Sequence, residues 1–286
     1  MVVHRSVFLS VPVFFLYRID IAANSMRRIA LGIEYDGTNW RGWQTQPDGM
    51  TVQDQLQEAI FRFTRTRIST MCAGRTDAGV HASEQVVHLD TELDRLPVSW
   101  VRGVNAYLPA SIAVRWACEV PGGKDGFHAR SSAMARRYRY LVYNSPVRSP
   151  LWKNRAGWVF KPLDIGLMQK GADLLLGEHD FSAFRAAECQ SITPVKTVKR
   201  IDIEKQGNLI VFTFEANAFL HHMVRNIVGS LVYVGKGNHP PEWMKDLLDA
   251  KDRSLAAPTF MPDGLYLSRV HYDAKWGLPQ REDVFP

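Results

Sequence analysis

The chain has 286 residues, 46% hydrophobic and 22% charged, a balance that builds a folded core and excludes a mostly disordered or fibrous chain. Lysine and arginine outnumber aspartate and glutamate by 35 to 29, and the resulting +6 favours a polyanionic partner such as nucleic acid or membrane phosphate. Cys72, Cys118 and Cys189 stand far apart with no C-x-x-C pair, which indicates neither a disulfide framework nor a zinc cluster and fits a reducing, cytoplasmic setting.

Residues 1–25 differ from the rest. The run SVFLSVPVFFLY at 6–17 follows His4 and Arg5 and is too short to span a bilayer, although it resembles the apolar region of an export signal. Small-residue cleavage signals are poor there. Residues 1–25 read as an extension outside the fold, with Met26 as the functional start; membrane attachment is the competing reading of the same run.

Residues 28–36, RIALGIEYD, alternate like a strand and end in an Asp-Gly turn. Residues 51–64 read as a helix: Thr51 can cap it, Asp54 follows three later, and Val52, Leu56, Ala59, Ile60 and Phe63 make one apolar stripe. Strands are expected at 68–72 and 85–89. Between them lies AGRTDAGVHA, residues 73–82, which reads either as a capped turn or as a loop displaying the carboxylate of Asp77. After a PGGKDG loop at 121–126, a strand is expected at 135–144, a helix at 163–176, and a hairpin of 198–203 with 209–214. Further helices are expected at 219–234, ended by Gly235, and at 241–250 with Trp243 and Leu247 inward; residues 264–272 alternate like a closing strand. The order strand, helix, strand, strand occurs twice. The fold class is therefore α+β: two α+β halves, 26–126 and 127–286, sharing a central, mostly antiparallel sheet with helices on the outside.

No G-x-G-x-x-G, G-x-x-x-x-G-K-[ST] or H-E-x-x-H is present, which disfavours a nucleotide cofactor or a catalytic zinc. His221 and His222 are adjacent; on a helix they would point about 100° apart and could not hold one ion together. Arginines recur with aromatics at Arg130, at 136–140 (RRYRY), at Phe184-Arg185, and near Trp40 and Trp43. That mixture suits looped or single-stranded RNA, and equally suits an ordinary sheet with solvated arginines. Alternation puts Tyr138 and Tyr140 on one face of their strand and Arg139 on the other.

Four segments together, GRTDAGVHA at 74–82, GVNAYLP at 103–109, FHARSSAMARRYRYLVYN at 127–144 and NAFLHHMVRNIVGSL at 217–231, resemble the bacterial tRNA pseudouridine synthase A family. The resemblance runs from Met26 to Tyr272. It implies the pseudouridine synthase fold and a cofactor-free isomerisation of uridine at positions 38–40 of the tRNA anticodon stem-loop. It also implies a homodimer that shares its tRNA between subunits. By the same resemblance Asp77 is the catalytic carboxylate, Arg225 its cationic partner, Tyr138 the ring packed on the flipped uracil and Arg75 the flipping aid, with Arg130, Arg185 and Gln190 in tRNA-contacting segments. Asp77 would attack C6 of the uracil or act at the ribose; the residues do not choose between these. A non-catalytic RNA-binding module is the alternative use of the same basic, aromatic groove.

Overall fold

A computed structural model describes residues 26–280, so the extension at 1–25 lies outside the described residues. Ile29, Leu31 and Ile33 are buried in β1 (Arg27–Tyr35). Helix α1 (Val52–Thr64) is capped as its sequence predicts: Thr51 Oγ1 accepts the Asp54 N–H at 3.2 Å, and Val52, Leu56, Ala59 and Ile60 are buried. The strand expected at 68–72 contracts to β2 (Met71–Cys72), while β3 (His81–Thr91) extends well beyond 85–89, leaving a taut loop at 73–80. Helix α2 (Pro97–Asn105) and strand β4 (Ile112–Val120) had no counterpart in the sequence reading. Asn105 joins them by exchanging two 2.8 Å hydrogen bonds with the Val114 backbone.

The chain continues through β5 (Ala133–Asn144), β6 (Gly157–Val159), α3 (Ile165–Asp173), β7 (Gly177–Asp180), β8 (Val195–Gln206) and β9 (Leu209–Ala216). It ends with α4 (Met223–Gly235), α5 (Trp243–Ala250) and β10 (Leu265–Tyr272). Helix α3 starts later than 163 because Asp164 is its cap, accepting the Leu167 N–H at 2.9 Å. Gly235 does not end α4 from outside; it is the last helical residue, and a Cβ there would meet Met168 Sδ at 2.7 Å. In α5 Leu247 is buried as expected, while Trp243 is half-buried and stacks on His239 at 3.9 Å.

The strands form one sheet in the order β4-β1-β3-β10-β5-β9-β8-β7, with β2 added to β3 and β6 to β5. Every pairing is antiparallel except β3–β10 and β5–β6. The α+β class and the mostly antiparallel sheet are thus as expected. Tyr138 and Tyr140 face the core beside Phe214 and Phe212 of β9 and Ile201 and Ile203 of β8. One helix departs from an outside position: in α4 only Arg225 and Tyr233 escape burial, because α3 and the segment after α5 cover it. Among the described residues no helix is long and apolar enough to cross a membrane.

Candidate active site

The 73–80 loop is held from three sides. Tyr35 Oη and Thr76 Oγ1 share a buried 2.7 Å hydrogen bond, the Trp43 N–H donates to Thr76 O at 3.0 Å, and the Gly79 N–H donates to Trp40 O at 3.2 Å. Gln85 grips Gly74, accepting its N–H at 3.4 Å and donating to its carbonyl at 2.5 Å. Gly42 lies so close that a Cβ there would sit 2.6 Å from Thr76 O. Trp43 is therefore a buried support beneath the loop and not a base-facing ring. With Thr76 tied inward, Asp77 and Arg75 are turned outward.

Asp77 belongs to the β2–β3 loop, but its partners come from the first turn of α4 and the two residues before it. Arg225 Nη1 donates to Asp77 Oδ2 at 2.9 Å, and Arg225 Nε is fixed by Phe260 O at 2.8 Å. His221 Nε2 lies 3.3 Å from Asp77 Oδ1, and His222 Nε2 lies 3.3 Å from Oδ2. The carboxylate is only 21% exposed, so these contacts act with weak solvent screening.

The sequence reading placed both histidines inside a helix and divergent; the structure corrects this. Helix α4 begins at Met223, and His222 precedes it with φ of +63°, a left-handed conformation uncommon for a residue with a Cβ. That reversal brings the two imidazoles to 4.0 Å between ring centres, both aimed at Asp77. Burial lowers the proton affinity of His222 and outweighs the opposing pull of the Asp77 charge; the His221 and Arg225 charges lower it further. The three ligand atoms of Asp77, His221 and His222 lie within 4.8 Å of one another. A metal ion there would have to compete with the Arg225 guanidinium already on the carboxylate.

Tyr138, on β5, forms part of the wall. It is 8% exposed and meets the edge of Phe219 with ring centres 5.1 Å apart, and burial, reinforced by the Asp77 charge, holds its phenol protonated. Arg75 Nη1 donates to Gln190 Oε1 at 2.9 Å, joining two residues 115 positions apart. Arg185 turns inward to Cys189 O at 2.7 Å and Ser191 O at 3.0 Å, so it shapes the segment bearing Gln190. Arg130 is exposed.

Asp77 and Arg225 thus meet directly, Tyr138 lies near enough to feel the Asp77 charge, and Arg75 joins Gln190, whereas Arg185 is turned into its own segment and Arg130 is exposed. Sequence reasoning missed His221, His222 and Phe219 as members of the site. The arginine–aromatic mixture left RNA-facing and solvated arginines as equal readings; the Arg136 guanidinium is spent instead on four backbone carbonyls, those of Ala133, Asn217, Ala73 and Arg130, at 2.6–3.2 Å.

A family model described as tRNA pseudouridine synthase matches residues 32–124 and 172–273. The tRNA pseudouridine synthase A of Janthinobacterium sp. (strain Marseille) is 62% identical over 259 residues, which covers 90% of this chain and 96% of that protein. The protein of the same name from Herminiimonas arsenicoxydans is 62% identical over 261 residues, covering 91% and 95%. Among solved structures, one of a Cbf5-Nop10-Gar1 complex overlaps 84% of this chain and 48% of that one, with a TM-score of 0.35 and 11% identity, a likeness too loose to bear on function.

Proposed function

The chain belongs to the tRNA pseudouridine synthase family, whose members isomerise uridine in tRNA, and on that footing we propose that Asp77 is the residue that engages the uridine covalently. The overall change replaces the N1–C1′ bond by a C5–C1′ bond, moving one proton off C5 and another onto N1. Detaching, turning and rejoining the ring needs a covalent or ionic handle, and an ionised carboxylate supplies it at C6 or at the ribose. The observation that carries this is the Arg225–Asp77 contact at 2.9 Å: a guanidinium fixed from behind by Phe260 O pairs with a largely buried carboxylate and aims it.

The target base lies in the anticodon stem-loop at positions 38–40, and it must leave its stack, at a cost of a few kcal/mol. Arg75 is suited to fill the vacated space, exchanging its bond with Gln190 for RNA. Tyr138 and Phe219 form the aromatic wall for the flipped uracil. Arg130 and the Arg185-shaped segment extend the basic surface along the RNA. Two copies sharing one tRNA, in the cytoplasm, complete the reading. The alternative of a non-catalytic RNA-binding module has no support among the matched relatives.

The test is tritium release from anticodon stem-loop RNA labelled at C5 of uridine. Wild type is expected to release the label and Asp77→Ala to release none while still binding RNA, because phosphate contacts supply most of the affinity. Equal release by both proteins would refute the role of Asp77.

A further inference from the structure

We propose that His222 is a positioning residue which, with Arg225, anchors the inner carboxylate oxygen of Asp77, so that the outer oxygen, Oδ1, is the atom that reacts. His221 is the partner that yields when the base arrives. The inference rests on the reading of Asp77 given above and extends it to which oxygen acts.

The two oxygens are held unequally. Oδ2 faces Arg225 Nη1 at 2.9 Å and His222 Nε2 at 3.3 Å, and both side chains are well covered, at 13% and 26% exposure. Among the described residues Oδ1 faces only His221 Nε2, at 3.3 Å, on a ring that is 38% exposed. A carboxylate with two donors on one oxygen and a displaceable, solvent-facing donor on the other has a built-in direction.

The backbone that creates this asymmetry is enforced from both sides. His221 accepts the Ala186 N–H at 3.1 Å and donates its own N–H to Cys189 Sγ at 3.3 Å, while His222 O accepts the Asn226 N–H at 2.9 Å. A left-handed residue that bears a Cβ persists only where its surroundings impose it, and such residues gather at functional sites. Here the reversal converts two divergent imidazoles into two that share one carboxylate.

Other groups facing this point are poorer candidates for the task. From β2, Cys72 is buried and its thiol is pushed up to about 11. From β5, the Tyr138 phenol is covered, and Cys189 already serves the His221 N–H. A neutral His222 offers one ring N–H, which the carboxylate draws to Nε2. Protonation of His222 adds a second cation to the Oδ2 side, which tightens the hold on Asp77 and damps its reactivity; Arg225, His221 and the more distant Glu188 are the other charges it feels.

The experiment compares turnover of full-length tRNA by wild type, His222→Ala, His222→Gln, His221→Ala and Asp77→Asn, each checked for an unchanged thermal transition. His222→Ala is expected to lower kcat about 10- to 100-fold, the scale set by a misaligned reacting group, with KM changed less than about threefold. His222→Gln, which keeps a donor but cannot titrate, restores most of kcat and holds its activity further into acid than wild type. His221→Ala costs less than His222→Ala. Three results overturn the proposal: equal losses for His222→Ala and His222→Gln, a rise in KM with kcat intact, or His221→Ala as damaging as His222→Ala. Slowing on uridine but not on 5-fluorouridine RNA, which has no C5 proton to lose, would assign the ring to proton removal and overturn it too. Should Asp77→Asn turn over tRNA like wild type, the reading of Asp77 itself fails, whatever the histidine variants do.

Discussion

Replacing Arg136 by methionine tests whether this arginine serves the protein or the RNA. Its four hydrogen bonds link residue 73 at the root of the Asp77 loop, residue 130 ahead of β5, residue 133 at the start of β5, and residue 217 just after β9. The Ala73 and Ala133 carbonyl contacts are partly buried, whereas those to Arg130 and Asn217 are exposed and can be taken over by water. A covered acceptor that loses its donor costs about 1–3 kcal/mol, so the two partly buried ones give about 2–6 kcal/mol, the lower half applying if water enters the space left by the guanidinium. For a protein of this length about 2–4 °C of melting temperature accompanies each kcal/mol, so we expect Arg136→Met to melt roughly 4–24 °C lower, the lower part of that range applying if water enters. Arg136→Lys should fall between, because one ammonium cannot span four carbonyls. Thermal denaturation gives the stability, and hydrogen exchange over residues 73–80 reports loosening of the loop. A melting temperature within about 1 °C of wild type, together with weaker tRNA binding and a salt slope reduced by about 1, would refute this reasoning and return Arg136 to the RNA.

Three further outcomes follow from buried chemistry. Burial, aided by the Arg28 charge, lowers His88 to about 4, so the unfolded chain takes up this proton first as pH falls. Its contribution is intact above the ordinary imidazole value of about 6.5 and is lost between there and about 4, and His88→Gln should therefore melt with less acid sensitivity over that window; identical pH profiles would contradict it. Cys72 is held protonated by burial; at Cys189 burial also pushes upward, but the N–H groups of His221 and Ser191 outweigh it, so alkylation of the native protein at neutral pH should modify Cys189 first, read by peptide mass. A Cβ on Gly229 would stand 2.5 Å from Pro258 O, so Gly229→Ala should push away the segment whose Phe260 carbonyl fixes Arg225, costing about 1–3 kcal/mol and more turnover than RNA binding; unimpaired turnover would show that the helix accommodates the methyl.

Local signals carried much of this architecture. Thr51 caps α1 where its spacing with Asp54 indicates, and the β8–β9 hairpin turns at Gly207, with φ of +61°. Helix α2 and strand β4 were silent for physical reasons. Leu96 makes no side-chain cap for α2, the helix has nine residues, and β4 lies at the edge of the sheet with Arg115 and Glu119 exposed, so neither period is clean. Asp77, Arg225 and Tyr138 were reached through a resemblance and not through pattern, since no spacing in the chain announces that a loop near 77 meets a helix near 225. The histidines were misplaced because helical spacing was assumed up to Phe219, whereas the reversal at His222 depends on contacts with residues 186–189, more than thirty positions away. Arg136 and Arg137 are indistinguishable as letters, yet one clamps carbonyls and the other pairs with Glu215 at 3.0 Å.

Strand β10 separates β3 from β5 in the sheet, yet among the described residues every other strand precedes it in the chain. On the ribosome, the parts of β3 and β5 that β2 and β6 do not cover must therefore wait unpaired until residues 265–272 have been made. The nascent chain carries exposed strand edges, the form in which β proteins are most prone to pair wrongly. β10 joins β3 through only two residue pairs, Tyr266 with His81 and Leu267 with Ala82, against a long antiparallel ladder with β5. Joining of the β3 and β5 sides of the sheet thus waits on the last strand among the described residues.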